Sequence, residues 1–428
     1  MSIADIFKNF LDNLKIDNSE QITYRYEEIT CCLNKKYRNT ESKTINRLQV
    51  GSYGRWTAIK GISDLDMLYI MPNSKWNDYQ QPGGQSKLLE EVKDTIKNRY
   101  PRTEVKVDRL VVCITFTNFY IEVQPVFELE DGSFKYPDTY KGGCWKITKP
   151  REEISAMKEF DENKNKNLRR LCKMARAWKN KHGVAIGGLL IDTLAYNFLK
   201  NNTNYDNKSY MYYHYLSRDF FEYLKDEVDQ EYYLALGSRQ RVKVKKKFQK
   251  AAKKAYELSL DAIETGEKDN DYDKWQKIYG RSFPSKPKPV KASIEQLSYS
   301  WRNTEEFIED KYPVDIGYNF KLDCEVTQNG FRPFWLSNYD GRRLSVNKHL
   351  QFFVSDITIP KPYILKWKVL NIGQEAEKRD CIRGQILKDE GHNKRAETTC
   401  FKGDHLVECY IIKNNVVVAR ESIIVPIE

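Results

Sequence analysis

Apolar positions change their spacing several times along this chain, and each change predicts a different kind of element. Ile3, Ile6, Phe7, Phe10, Leu11 and Leu14 recur at helical spacing, which predicts an opening amphipathic helix. A second helix is predicted over 19–37, so residues 1 to about 47 are helical and brace the hairpin after them from behind. Short and alternating apolar runs then predict strands over 64–71, 104–107, 111–115 and 119–126, with a helix over 87–100 among them. Pro82-Gly83-Gly84 reads as a loop break and Tyr136-Pro137-Asp138 as a turn.

From 150 to about 224 the helical period returns. Within 167–179, Leu168, Leu171, Cys172, Ala175 and Trp178 share a face. Arg169, Arg170, Lys173, Arg176 and Lys179 lie elsewhere and read mostly as a solvated charged face. The turn 183–188 leads into an apolar helix over 189–199, and Trp275, Ile278 and Tyr279 close the helical part at 280–284. Residues 286–303, rich in Pro, Lys and Ser, read as a linker. Beyond it strands are predicted over 316–326, 350–353, 365–370, 397–399, 406–412, 416–418 and 423–427. Gln328-Asn329-Gly330, Asp340-Gly341 and Asn414-Asn415 are among the turn signals between them. Short strands with regular turns predict a β-sandwich of immunoglobulin-like size. The fold class is α+β. Its expected parts are a mixed core with N-terminal helices (1–150), a helical lobe of the same unit (151–285), the linker (286–303) and the sandwich (304–428).

Length and composition agree with that division. A chain of 428 residues, 31% charged and 13% aromatic, has core material for two or three domains. No apolar run approaches the ~20 residues that cross a bilayer, so a membrane protein is not expected. The opening residues lack the charged-then-apolar layout of a secretory signal, and a cytoplasmic location is expected. The nine cysteines are scattered, with Cys31-Cys32 adjacent and no C-x-x-C pair, which favours reduced structural thiols over zinc. A net charge of +11 points to a polyanionic substrate or partner. The basic run 239–256 reads either as a nucleic-acid face or as lysines turned to solvent.

The densest chemistry lies in 48–71, LQVGSYGRWTAIKGISDLDMLYIM. Gly51-Ser52 is a small-residue turn where the backbone can approach a phosphate closely. Asp64 and Asp66 alternate with Leu65 and Met67, so in a strand the two acids face one way and the apolar pair faces the core. Two carboxylates side by side repel each other unless a cation lies between them. Mg²⁺ (or Mn²⁺), which takes hard carboxylate oxygens together with substrate phosphates, suits the place. Glu122, alone between Ile121 and Val123, is either an edge charge facing water or a third ligand. Lys173 follows the apolar seam of its helix closely enough to reach into a cleft and neutralise a triphosphate.

As a set, Gly51-Ser-Tyr-Gly-Arg-Trp-Thr-Ala-Ile, Asp64-x-Asp66, Ile121-Glu-Val-Gln-Pro125, the Lys173-to-Lys179 helix and Tyr279-Gly-Arg-Ser-Phe-Pro284 carry a family likeness. Over roughly 5–285 the chain resembles the bacterial cGAS/DncV-like nucleotidyltransferases (CD-NTases, with the SMODS domain) of the polymerase-beta superfamily. Lys366-Trp-Lys-Val-Leu-Asn-Ile-Gly373, Ile382-Arg-Gly-Gln385, Glu397-Thr-Thr399 and Gly403-Asp-His-Leu-Val-Glu-Cys-Tyr410 resemble the AGS-C sensor domain. The resemblance implies a polymerase-beta-like core with a helical second lobe. It implies nucleotidyl transfer from a triphosphate to a ribose hydroxyl, with Asp64, Asp66 and Glu122 as catalytic metal ligands. Gly51, Ser52 and Lys173 would hold phosphates. The product would be a cyclic di- or oligonucleotide messenger in antiphage (CBASS) signalling, and the last domain would sense a ligand.

Two departures stand out. Glu122 replaces the Asp of many relatives, and Gly187-Gly188 occupy the place where relatives put a serine or tyrosine on the nucleotide, which makes Gly187 a nucleotide-binding candidate and leaves base preference open. Competing readings are a linear oligonucleotide synthase using the same site, or an inactive scaffold binding nucleic acid through 239–256. A third is a ligand sensor whose pocket is lined by Trp335, Trp367, Arg383, His405 and Glu408.

Overall fold

A capping box starts the first helix, α1 (Ile3–Asn13). Ser2 Oγ accepts from the Asp5 N–H while the Asp5 carboxylate accepts from the Ser2 N–H. The computed structural model describes residues 2–61, 64–264, 271–285, 305–328, 330–339, 343–379, 381–389 and 391–428. The predicted linker 286–303 lies outside them, as do Asn329 and Asp340-Gly341 of two predicted turns. The chain forms two units, Met1–Lys181 with Ile186–Ser285, and His182–Ala185 with Lys286–Glu428. Among the described residues no helix is long and apolar enough to cross a membrane.

In the first unit, α2 (Ser19–Arg38) buries Ile22, Tyr26, Ile29 and Leu33 and ends on Asn39, whose left-handed backbone turns the chain out of the helix. There follow β1 (Arg47–Gln49), α3 (Gly51–Gly54), β2 (Asp64–Ile70), α4 (Trp76–Tyr79), α5 (Gly84–Arg99), β3 (Glu104–Asp108), β4 (Val111–Thr115), β5 (Tyr120–Glu128), β6 (Phe134–Asp138) and β7 (Cys144–Thr148). They build one sheet in the order β1-β2-β5-β4-β3, with β6 between β5 and β7. Strands β2 and β5 are parallel and the other pairs antiparallel. Leu65, Met67 and Tyr69 of β2, Val112 and Ile114 of β4, and Ile121 and Val123 of β5 pack on the apolar faces of α2 and α5. Because side chains alternate along a strand, covering that face leaves Asp64, Asp66 and Glu122 on the other.

Three local expectations are corrected. Helix α5 begins at Gly84, not near 87, because Gly83 takes a left-handed turn and Gly84 can start the helix against the Tyr79 carbonyl, where any Cβ would clash. A short helix, α4, interrupts residues 73–86, whose polar run with Pro82-Gly83-Gly84 is expected to be loop throughout. Tyr136-Pro137-Asp138 is strand, with Pro137 opposite Trp145. Pro137 lies beyond the two residues through which β6 pairs with β5, so one side is an edge there, where a strand tolerates a missing N–H.

The rest of this unit is mostly helical: α6 (Pro150–Asn163), α7 (Asn167–His182), α8 (Gly188–Asn201), α9 (Tyr213–Asp226), β8 (Tyr232–Leu234), β9 (Arg241–Lys243), α10 (Gln249–Glu264) and α11 (Asp271–Tyr279). Phe7 and Phe10 of α1 pack edge-on or tilted against Tyr213, Trp275, Tyr279 and Phe283, which ties the end of the unit to its beginning. The basic run 239–256 is split between β9 and the start of α10, with its lysines exposed.

The second unit holds β10 (Lys321–Thr327), β11 (Phe334–Trp335), β12 (His349–Ser355), β13 (Ile364–Leu370), α12 (Gln374–Lys378), β14 (Arg383–Lys388), β15 (Lys394–Thr398), β16 (Gly403–Lys413) and β17 (Val416–Ile427). They form two antiparallel four-stranded sheets, β11-β10-β12-β15 and β14-β13-β16-β17. The predicted strands 416–418 and 423–427 are one long strand, β17. The polar Arg420-Glu421-Ser422 between the two predictions stays in register with β16, because Arg420 turns inward onto Glu408.

That contact belongs to a buried ionic cluster. Glu408 accepts from Arg420 Nη2 at 2.6 Å and from Tyr410 Oη at 2.8 Å, and it lies 3.4 Å from Lys368 Nζ. Lys368 also meets Glu305 at 2.6 Å, and Arg420 meets Glu309 at 2.9 Å. Burial works to raise the Glu408 carboxyl, but Arg420 and Lys368 overcome it and hold it at about 2. A carboxyl depressed in the folded state stabilises above its unfolded value of 4.5, and that contribution is lost as pH falls from there to about 2. Glu408→Gln keeps the shape and takes the shared buried anion from two buried cations, leaving Lys368 with Glu305 and Arg420 with Glu309, both more exposed than Glu408. It is expected to destabilise this unit by about 3–5 kcal/mol at pH 7 and to remove the acid limb, read by hydrogen exchange of the β16 amides across pH.

Candidate functional site

The parallel register of β2 and β5 sets Asp66 opposite Glu122 and Asp64 opposite Tyr120. Neighbouring strands lie about 4.8 Å apart, so Glu122 is the lateral neighbour of Asp66, and Asp64 sits two residues along the same face. The three acids are half-buried; Asp66 and Glu122 each lie between buried apolar residues, and Asp64 directly precedes the buried Leu65. Beyond Glu122 the row continues to Cys113 of β4.

The back of β2 is held by α2. Tyr26 Oη donates to the Asp66 carbonyl at 2.8 Å, and the Val50 N–H donates to the same oxygen at 3.2 Å. The Tyr26 phenol is held well above its ordinary value, first by burial and then by the negative charge of Asp66, with Asp64 adding.

Gly51 opens α3 directly after Val50, with φ at +64°. A Cβ added there would run into Asp66 Oδ2 and lie 2.7 Å from its Cγ. The Asp66 carboxylate therefore lies over the Cα of Gly51, and a residue with a side chain would displace it. Ser52 is next in the turn, with its carbonyl accepting from the Thr57 N–H at 2.9 Å and the Ala58 N–H at 3.1 Å.

The acids offer hard oxygen donors, which suits Mg²⁺ or Mn²⁺. Mg²⁺ is usually bound by one or two carboxylates with substrate phosphates and water, so these donors are sufficient. Among the described residues no three His, Cys, Asp or Glu side chains stand together as a ready cage.

Lys173 and Gly187 are placed differently. Lys173, half-buried on α7, is held below its ordinary value by burial and then by the charges of Arg169, Lys15 and Arg176. Among the described residues it has no ion pair. The charges acting most strongly on it are thus other cations and Asp161, not the three acids. Gly187 is the N-cap of α8, with open space where its side chain would be.

The residue that sequence reasoning missed is Asp192. Fully buried on α8, it accepts from Arg55 Nε at 2.8 Å, Thr57 Oγ1 at 3.1 Å, and Arg176 Nη1 and Nη2 at 2.6 and 3.1 Å. Arg176 also donates to the Gly188 carbonyl at 3.1 Å. Burial pushes the Asp192 carboxyl up, but the two guanidinium groups, Arg176 foremost, bring it down to about 2. Glu153 adds a weaker arm: it meets Arg55 at 3.4 Å and accepts from Ser238 Oγ at 2.9 Å, yet burial leaves it raised. Arg176 and Lys179, expected on a solvated face, are buried. A signal was present: Asp192 stands alone in the apolar helix GLLIDTLA, where a lone acid demands a cation.

In the second unit the five side chains proposed to line a pocket have separate partners. Trp367 Nε1 donates to Asp389 at 2.7 Å, and Arg383 holds Glu397 through two bonds. His405 accepts from the Ile372 N–H at Nδ1, so its proton sits on Nε2 and donates to the Phe401 carbonyl. Glu408 is engaged by Arg420, and Trp335 lies on the other sheet, half-exposed.

Compared with known protein families, residues 1–161 match the Second Messenger Oligonucleotide or Dinucleotide Synthetase domain, and 302–428 match the Adenylyl/Guanylyl and SMODS C-terminal sensor domain. A probable cyclic nucleotide synthase of Bacillus cereus (strain VD146) is 19% identical over 275 residues, which cover 55% of this chain and 81% of that protein. Among solved structures, CdnC of E. coli MS115-1 with ATP aligns with 16% identity over 66% of this chain and 98% of its own, at a TM-score of 0.48. DncV of Vibrio cholerae, in its apo form, aligns with 14% identity over 56% of this chain and 69% of its own, at a TM-score of 0.45.

Proposed function

We propose that this chain, which belongs to the CD-NTase nucleotidyltransferases with a SMODS domain and an AGS-C sensor domain, joins nucleoside triphosphates into a cyclic di- or oligonucleotide in a metal-dependent reaction. The observation that carries this reading is the parallel register that puts Asp66 opposite Glu122, with the Asp66 carboxylate over Gly51. In it, Asp64, Asp66 and Glu122 hold Mg²⁺ or Mn²⁺. When bound, the cation supplies Lewis-acid stabilisation of phosphoryl charge and makes a ribose hydroxyl easier to deprotonate. The backbone at Gly51 and the hydroxyl of Ser52 receive the terminal phosphates beside the acids. Lys173, half-buried among cations and without an ion pair among the described residues, contributes positive charge toward an anion. Gly187, with no side chain, leaves room at the start of α8 for the nucleotide. Ring closure requires the first, linear product to turn and re-enter the same cleft. The sandwich reading of the second unit rests on its short strands and regular turns, whereas its sensing of a ligand and a role in antiphage signalling rest on the family resemblance.

The test is direct. Purified protein incubated with each pair of triphosphates and Mg²⁺ or Mn²⁺ is expected to yield a product that resists phosphatase and has the mass of a cyclic condensate. A phosphatase-sensitive product would assign a linear synthase. No incorporation from any pair would reject the reading.

A further inference from the structure

Asp192 touches two loops that have different tasks. Arg55 and Thr57, both bonded to it, come immediately after the helix that carries Gly51 and Ser52. Arg176, also bonded to it, grips the Gly188 carbonyl at the entry to α8. One carboxylate thereby fixes the phosphate turn and the Gly187–Gly188 turn against each other.

Two further observations point to a position held against its own preference. Thr57 Oγ1 lies within reach of both Asp192 Oδ2, at 3.1 Å, and the Ser52 carbonyl, at 3.4 Å. A hydroxyl has one proton, and the nearer, charged acceptor takes it. Ser52 is meanwhile bound through the Thr57 N–H, so Thr57 links Ser52 to Asp192. Between Arg55 and Thr57, Trp56 sits at φ +63° with its side chain 68% exposed. A bulky residue in the left-handed region persists when its surroundings over-determine the backbone, and here both flanking residues are anchored on Asp192.

We propose that Asp192 is a positioning residue for the triphosphate end of the site, acting through Thr57 and Arg55 on Ser52 and through Arg176 on the Gly187–Gly188 turn. It does not touch the reacting atoms; it sets where the groups that do so stand. The inference rests on the nucleotidyltransferase reading and deepens it.

Thr57 gives the sharpest test, since Thr57→Val keeps the shape and loses the hydroxyl, whereas Thr57→Ser keeps the hydroxyl and loses a methyl. On the full chain with Mg²⁺, Thr57→Val is expected to weaken binding of a non-hydrolysable nucleoside triphosphate, and to raise KM, about tenfold. That is the scale of one hydrogen bond to a charged acceptor. Thr57→Ser is expected to restore most of the affinity, and Asp192→Asn to weaken it at least as far as Thr57→Val. Ser and Val variants that bind alike, or variants that lower Tm while KM and affinity stay at the wild-type level, would reduce Asp192 to a packing role and overturn the inference. Wild-type protein that binds no triphosphate would remove the nucleotidyltransferase reading and this inference with it. Wild-type binding with unaffected variants would remove the inference alone.

Discussion

Asp66→Asn is expected to leave a folded protein whose nucleotidyl transfer is slower by at least about a thousandfold, which is about 4 kcal/mol of transition-state stabilisation. The fold survives because the backbone contacts of Asp66 persist: the carbonyl that accepts from Tyr26 and Val50, and the ladders to β1 and β5, do not change with the side chain. What is lost is one of two adjacent negative charges, and the Asp66–Glu122 pair is where a divalent cation has most to gain. Removing one of two like charges also relieves repulsion in the cation-free protein. The variant should therefore be at least as heat-stable as wild type without divalent ions, while the rise in Tm that Mg²⁺ and a triphosphate give wild type should disappear. Tm with and without these ligands, measured beside single-turnover transfer, checks both halves. Full transfer, or an intact Mg²⁺-dependent shift, would reject Asp66 as a ligand.

The acids were readable from sequence because their cue is local. Asp64, Asp66 and Glu122 each interrupt an apolar alternation, and a strand turns period two into a common face without tertiary information. What alternation does not specify is the partner strand. Two strands 56 residues apart, counted from Asp66 to Glu122, pair in parallel, and that register comes from packing on α2 and α5. The Asp192 hub was hidden for a related reason. Its donors sit at 55, 57 and 176, and the helix that bears Arg176 is so rich in Lys and Arg that a buried guanidinium looks like its solvated neighbours. Burial is decided by what faces the helix. Arg420 in β17 is a similar case: the polar stretch 420–422 falls between two predicted strands, whereas Glu408 on the adjacent strand lets one strand run through it. The aromatic cluster joining Phe7 and Phe10 to Trp275 and Phe283 is also long-range, although the pattern did mark Phe7, Phe10 and Trp275 as apolar.

Gly51→Ala tests the close approach on which the proposed phosphate seat depends, and a second glycine separates its two consequences. Gly51 has φ +64°, where a residue with a Cβ is strained by about 1–2 kcal/mol. The new methyl would also enter the space of Asp66 Oδ2, so either the carboxylate swings away from Glu122 or the turn lifts from the strand. Gly61 has φ +79° but, among the described residues, nothing within 4 Å of an added Cβ. Gly61→Ala therefore carries the backbone strain without the collision, and it is expected to lower stability by about 1 kcal/mol with transfer unchanged. Gly51→Ala is expected to lower stability by more than that and to slow transfer by at least about a hundredfold, the scale of an ångström-sized misplacement of reacting groups. Thermal unfolding and initial rates of both variants, measured side by side, decide the matter. If Gly51→Ala matched Gly61→Ala in rate as well as stability, the Asp66 carboxylate would not need the bare Cα beneath it, and the turn at 51–52 would lose its place in the chemistry.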